Sequence, residues 1–89
     1  MRAIVTVIGK DQVGIIANVC TLLADFGVNI LDISQTILQE YFTMIMLVDP
    51  SDCRIPFDEL SKSLKTSGDE RNLSIRIQRE DIFEAMHRI

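Results

Sequence analysis

A chain of 89 residues has room for one domain built around one modest core. Apolar residues make up 47%, and no apolar run approaches the roughly 20 residues that span a bilayer, so the composition is globular and excludes a membrane-spanning helix. Nine basic against 13 acidic residues leave a net charge of −4, which argues against direct nucleic-acid binding, because that needs a positive surface to neutralise phosphates.

The start, Met1-Arg2-Ala3-Ile4-Val5, lacks the long apolar stretch and the small-residue cleavage site of a signal peptide, so a cytoplasmic protein is expected. Ala3 to Ile8 is almost wholly apolar and rich in β-branched residues, as a buried strand is. Gly9 to Ile15 reads as a tight loop with two glycines and an acid. Val13 to Phe26 places apolar residues at positions 16, 19, 20, 23 and 26, the spacing of one helix face, and Gly27 follows as a C-cap. Val28 to Leu38 and Tyr41 to Val48 are two further strand-like runs joined by Gln39-Glu40, which makes a hairpin. Asp49-Pro50-Ser51-Asp52 breaks the pattern. Pro56 opens a second helix whose inner face is Phe57, Leu60 and Leu64, with Asp58 and Glu59 at its positive end; Gly68 is expected to end it. Leu73, Ile75 and Ile77 alternate with Ser74, Arg76 and Gln78, a half-buried strand. Asp81 opens a short amphipathic segment with Ile82, Ala85, Met86 and Ile89 on one side.

The order β-α-β-β-α-β defines an α+β, ferredoxin-like sandwich: a four-stranded antiparallel sheet with both helices on one face. Residues 1–89 form a single domain, with 81–89 as a short C-terminal helix. Such a sheet leaves its second face free. The last strand alternates apolar with polar, but the first and third are apolar on both sides: Ile4 and Ile8 oppose Ala3, Val5 and Val7, and Met44 and Met46 oppose Ile45 and Leu47. The second face therefore needs a cover. Segment 81–89, a second subunit, or both are the candidates, and a homodimer or higher homo-oligomer is expected.

Catalytic residues do not emerge. The serines have no nucleophile-elbow context, His87 reads as a solvated surface side chain, and Asp25, Asp32 and Glu40 are not placed as an acid pair. With one His, two Cys and no CxxC, neither a metal site nor a cofactor is expected; Cys20 reads as core and Cys53 as an incidental loop thiol. Gln12-Val13-Gly14 has a faint similarity to the phosphate loop of acylphosphatases. The arginine that such a loop requires is replaced by Ile15-Ile16-Ala17, and Asp11 would repel a phosphate.

What remains is a strand-to-helix loop suited to a small anionic or zwitterionic molecule. Backbone N–H groups at a helix N-terminus favour a carboxylate, and Asp11 either caps the helix or pairs with an ammonium group. Asp11-Gln12-Val13-Gly14-Ile15 resembles the Asp-Arg-Pro-Gly-Leu motif of ACT domains, and Gly27-Val28-Asn29-Ile30 resembles their second signature. Asp32 to Thr36, Glu40 to Met44 and Ile82 to Met86 resemble a group of small standalone ACT proteins, similar to the ACT domains of the glycine cleavage system transcriptional repressor. The resemblance covers the whole chain. It implies a regulatory module that binds a small molecule, usually an amino acid, at a subunit interface and acts on a regulated protein partner. Carried over residue by residue, it implies ligand contacts from Lys10, Asp11, Gln12, Val13, Gly14 and Ile15, with Asn29 and Ile30, often from a neighbouring subunit. The sequence departs from the motif at Gln12 and Val13. Without the fixed φ of proline, a less preorganised loop is expected.

Overall fold

The structure is a computed structural model and describes residues 1–82. Six elements follow in order: β1 (Ala3–Lys10), α1 (Ile15–Asp25), β2 (Asn29–Leu38), β3 (Tyr41–Asp49), α2 (Phe57–Glu70) and β4 (Leu73–Arg79). They build one antiparallel sheet in the order β2-β3-β1-β4, the expected ferredoxin-like plan.

Strand alternation decides what lies beneath the helices. Val5 sits directly opposite Met46 on β3 and Ile77 on β4; Val7 sits opposite Met44 and Ile75. These rows are buried beneath Leu60 and Leu64 of α2 and Ile15, Val19 and Leu23 of α1. Removing a leucine such as Leu23 from water contributes roughly 2 kcal/mol, so this layer supplies most of the hydrophobic stabilisation. Cys20 packs against the same core, as expected. Cys53 does too, half-buried, and is more than an incidental loop thiol.

Several boundaries differ from expectation. β1 continues past Ile8 because Gly9 and Lys10 still pair with Phe42 and Tyr41. The first helix begins at Ile15, not Val13, and its inner face runs 15, 19, 23; Ile16 is 38% exposed. Gly27 does close α1. It adopts φ 83, its N–H donates to the Ala24 carbonyl, and the next N–H, of Val28, donates to Leu23, a paired arrangement that a left-handed glycine permits. Gly68 does not end α2, which runs on to Glu70. The residue is buried inside the helix because a Cβ there would stand 2.6 Å from the Leu73 carbonyl oxygen. Asn72, at φ 59, makes the turn into β4 instead.

The sheet face away from α1 and α2 has the expected apolar character on its central strands. Ile4 and Leu47, directly opposite one another, are half-buried; Ile45 and Ile8 are 42% and 47% exposed. Residues Glu80 to Ile82 begin a helix after β4, while 83–89, including His87 and most of the amphipathic C-terminal segment, lie outside the described residues. Among the described residues no helix is long and apolar enough to cross a membrane.

Candidate functional site

The β1–α1 loop is shaped by its backbone. Gly14 is the residue before the helix and adopts φ 84, a conformation that costs an L-residue about 1–2 kcal/mol. It has no side-chain cap, and α1 has no acid in its first turn, so Asp11 does not cap the helix as one expectation held. The first helical bond runs from the Asn18 N–H to the Gly14 carbonyl, 2.9 Å. The N–H groups of Ile15, Ile16 and Ala17 thus point out of the helix with no partner among the described residues, at its positive end.

Two hydrogen bonds hold the loop in place of the missing proline. The Asp11 N–H donates to the Glu40 carbonyl at 2.7 Å, tying the loop to the tip of the β2–β3 hairpin. The Gln12 side-chain amide donates to the Arg71 carbonyl at 3.1 Å, tying it to the α2–β4 turn. Gln12 therefore clamps the loop with its Nε2.

A cavity of about 210 Å³ opens beside this loop. Asp11, Gln12, Gly14 and Ile15 line it together with Ile16, Ala17, Gln35, Ile37 and Phe42. These last five were not anticipated: Ile16 and Ala17 follow the loop into α1, while Gln35, Ile37 and Phe42 come from the β2–β3 hairpin. Hairpin register brings them there: Gln35 pairs with buried Met44 and Ile37 with buried Phe42, so both β2 side chains point to the helix side of the sheet. α1 covers little of β2, which leaves Ile37 54% exposed as one wall. The result joins an apolar floor, N–H donors at a helix start and an exposed carboxylate around one small cavity.

The other anticipated residues lie elsewhere. Lys10 is exposed at the end of β1, on the side of Ile4 and Ile8, and Val13 is a bare loop tip at 101% exposure; neither lines the cavity. Asn29 and Ile30 open β2 at the opposite end, six residues or about 20 Å before Gln35 at roughly 3.3 Å per residue. Asn29 there pairs in register with Asp49. The Ser51 hydroxyl, and then its N–H, donate to the Asp49 carboxylate and hold its pKa below the ordinary 3.8. Loop and Asn29 do not meet within one chain.

A larger open groove, about 670 Å³, follows the β4 edge between that strand and α2. It is the space beside a strand that is at the sheet edge among the described residues. Lys65 in its lining is paired with Asp69 at 3.2 Å, and Arg76 also lines it. Among the described residues no group of His, Cys, Asp and Glu is arranged to hold a metal ion.

Comparison with known proteins agrees with this architecture. The chain is 56% identical over 89 residues to the UPF0237 protein of Clostridium acetobutylicum, with both chains covered in full. An ACT domain protein from Streptococcus pneumoniae superposes with a TM-score of 0.82 at 48% identity, covering 98% of each chain. A putative glycine cleavage system transcriptional repressor superposes with a TM-score of 0.72 at 25% identity over 86% of this chain and 44% of its own. The ACT domain profile matches residues 2–78, and the chain belongs to that family.

Proposed function

We propose that this protein is a non-catalytic regulatory module of the cytoplasm that binds an amino acid or a related zwitterionic metabolite between two copies of itself. The observation that carries the reading is the uncapped start of α1, with three unpaired N–H groups opening onto a cavity beside the exposed Asp11. The N–H groups donate to the ligand carboxylate, Asp11 accepts from the ammonium, and Ile37 and Phe42 receive the side chain. Asn29 and Ile30 complete the site from the neighbour. Two β2 edges paired antiparallel about a two-fold axis bring the start of one β2 beside the Gln35–Ile37 end of the other. Exposed Ile33 and Ile37 lie on the helix side of the β2 edge, Ile16 of α1 lines the same cavity as Ile37, and all three would be covered by such pairing. Ligand bound across the boundary favours the paired arrangement by its differential affinity, which is the regulatory step.

A thermal-shift screen of the natural amino acids tests this. A ligand at 100 times its Kd should stabilise the protein by about 2.7 kcal/mol. Asp11→Ala and Asn29→Ala should each abolish that shift and leave the unliganded melting temperature nearly unchanged. Normal binding by both variants would mean that the site is elsewhere. The same three exposed apolar residues support a second reading, a docking or oligomerisation module with no ligand of its own; an amino-acid screen without any shift would favour it.

A further inference from the structure

We infer that the groove between α2 and β4 takes up an extended segment of a partner protein that alternates acidic with apolar residues, and that this segment adds to the sheet beside β4. Backbone bonding defines the edge. The Glu80 N–H donates to the Arg2 carbonyl at 3.0 Å, so the even-numbered residues of β4 turn their N–H and C=O groups toward β1. The Asp11 N–H donating to the Glu40 carbonyl agrees, because it assigns the odd-numbered residues of β1 to β3. Ile75 and Ile77 therefore turn their N–H and C=O groups outward, where no partner stands among the described residues. Their side chains are buried in the core and both residues line the groove, so it is there that these backbone groups must be satisfied. β4 also lacks two usual protections of an edge: it contains no proline, and its register with β1 runs without a bulge from Arg79 to Leu73.

α2 shapes the groove, and charge selects the occupant. At one end the helix closes on the strand: a Cβ at Gly68 would stand 2.6 Å from the Leu73 carbonyl oxygen and 3.3 Å from the Ile75 nitrogen. Asp69, Lys65 and Ser61, spaced by four along α2, form the wall opposite β4. From Asn72 to Gln78 the floor runs about 20 Å at roughly 3.3 Å per residue, room for an extended segment of about six residues. An added strand places one side chain directly opposite Arg76. That arginine is exposed and has no hydrogen-bond or ion-pair partner among the described residues. An acid there sets the phase of the segment, and its alternate side chains then lie over Ile75 and Ile77 on the helix side, where apolar residues fit. Among the described residues the lining carries two cations, Lys65 and Arg76, against one acid, Asp69, in a chain whose net charge is −4. A second copy would bring the same positive surplus to this edge, whereas an acidic segment complements it. β4 lies at the opposite edge of the sheet from β2, so this docking competes neither with the pairing of two copies along β2 nor with the cavity beside Asp11.

A blocked seven-residue peptide of alternating glutamate and valine, labelled for fluorescence anisotropy, is the probe. It should bind at low salt, and its counterpart with lysine in place of glutamate should not. Methylating the valine nitrogens should abolish binding, because the valines stand opposite Ile75 and Ile77 and donate to their carbonyls. Hydrogen exchange at the Ile75 and Ile77 amides should slow by about tenfold or more when peptide is added to the dilute protein, while the Ser74 and Arg76 amides, already bonded to β1, keep their rates. Arg76→Glu should weaken binding by about tenfold or more, and Lys62→Glu, the same charge change at an exposed position outside the lining, by less than about threefold. Both substitutions are at exposed positions, and circular dichroism confirms that they fold. Absence of binding, equal weakening by the two variants, or undiminished binding of the methylated peptide would overturn the inference. So would Ile75 and Ile77 amides already protected in the dilute free protein, or protection that rises with protein concentration alone, which would give the edge to a second copy.

Discussion

At Gly68 two effects of one methyl group oppose each other, and magnitude decides between them. The residue sits inside α2, where alanine is intrinsically preferred by about 1 kcal/mol. Its Cβ would meet the Leu73 carbonyl oxygen at 2.6 Å and an Ile75 side-chain carbon at 3.0 Å. A backbone oxygen cannot move aside as a side-chain end can, and overpacking of this kind typically costs 1–3 kcal/mol. Gly68→Ala should therefore be destabilising by about 1 kcal/mol net, lowering Tm by roughly 4–8 °C at this chain length, as calorimetry would measure. A rise in Tm would mean that α2 can lift from β4 at little cost. The close approach matters beyond stability, because it sets how far α2 overhangs the sheet and so how wide the β4 edge lies open.

Among the elements, those with a clear period were readable from residues alone. The alternation at Leu73, Ile75 and Ile77 and the two-sided apolarity of β1 and β3 translate directly into which face is buried. Signals that rest on a single glycine were ambiguous. Gly27 and Gly68 both follow amphipathic helical stretches, yet one turns the chain and the other lies inside a helix packed against a strand; only the tertiary neighbour distinguishes them. Half of the site was hidden for a related reason. Asp11, Gln12, Gly14 and Ile15 are contiguous, whereas Gln35, Ile37 and Phe42 join them through hairpin register, a non-local property. The loop also has a holding bond that no motif advertises. Gln12→Ala removes the hydrogen bond to the Arg71 carbonyl, an exposed contact worth about 0.5–1 kcal/mol. Hydrogen exchange should accelerate at residues 11–14 while β1 and β3 keep their protection. Any amino-acid shift seen for the parent should shrink without vanishing, because the N–H donors of α1 remain. Unchanged exchange in the loop would show that the Asp11–Glu40 bond alone holds it.

Over the whole molecule, charge works against the proposed pairing and gives it a measurable signature. Each copy carries −4, so two copies repel at long range, and the repulsion is screened within about 10 Å at 0.1 M salt. The contact itself is apolar on its helix side, where Ile33 and Ile37 are exposed along a β2 edge that has no neighbouring strand among the described residues. Association should consequently tighten as salt is raised, the reverse of an interface made by opposite charges. Sedimentation velocity across protein concentration, at low and at high ionic strength, reads this directly. Ile33→Glu adds a carboxylate at a position 40% exposed in the single chain, so the fold should survive. Pairing would then bury an unpaired charge on each side of the two-fold axis, a cost of at least about 3 kcal/mol or two orders of magnitude in Kd. The variant should sediment as a monomer where the parent is paired, and it should lose the amino-acid shift as well, because Asn29 of the neighbour no longer reaches the loop. A monomeric Ile33→Glu that still shows the full shift would place the entire ligand site within one chain and remove Asn29 and Ile30 from it. A variant that remains paired would move the contact away from β2.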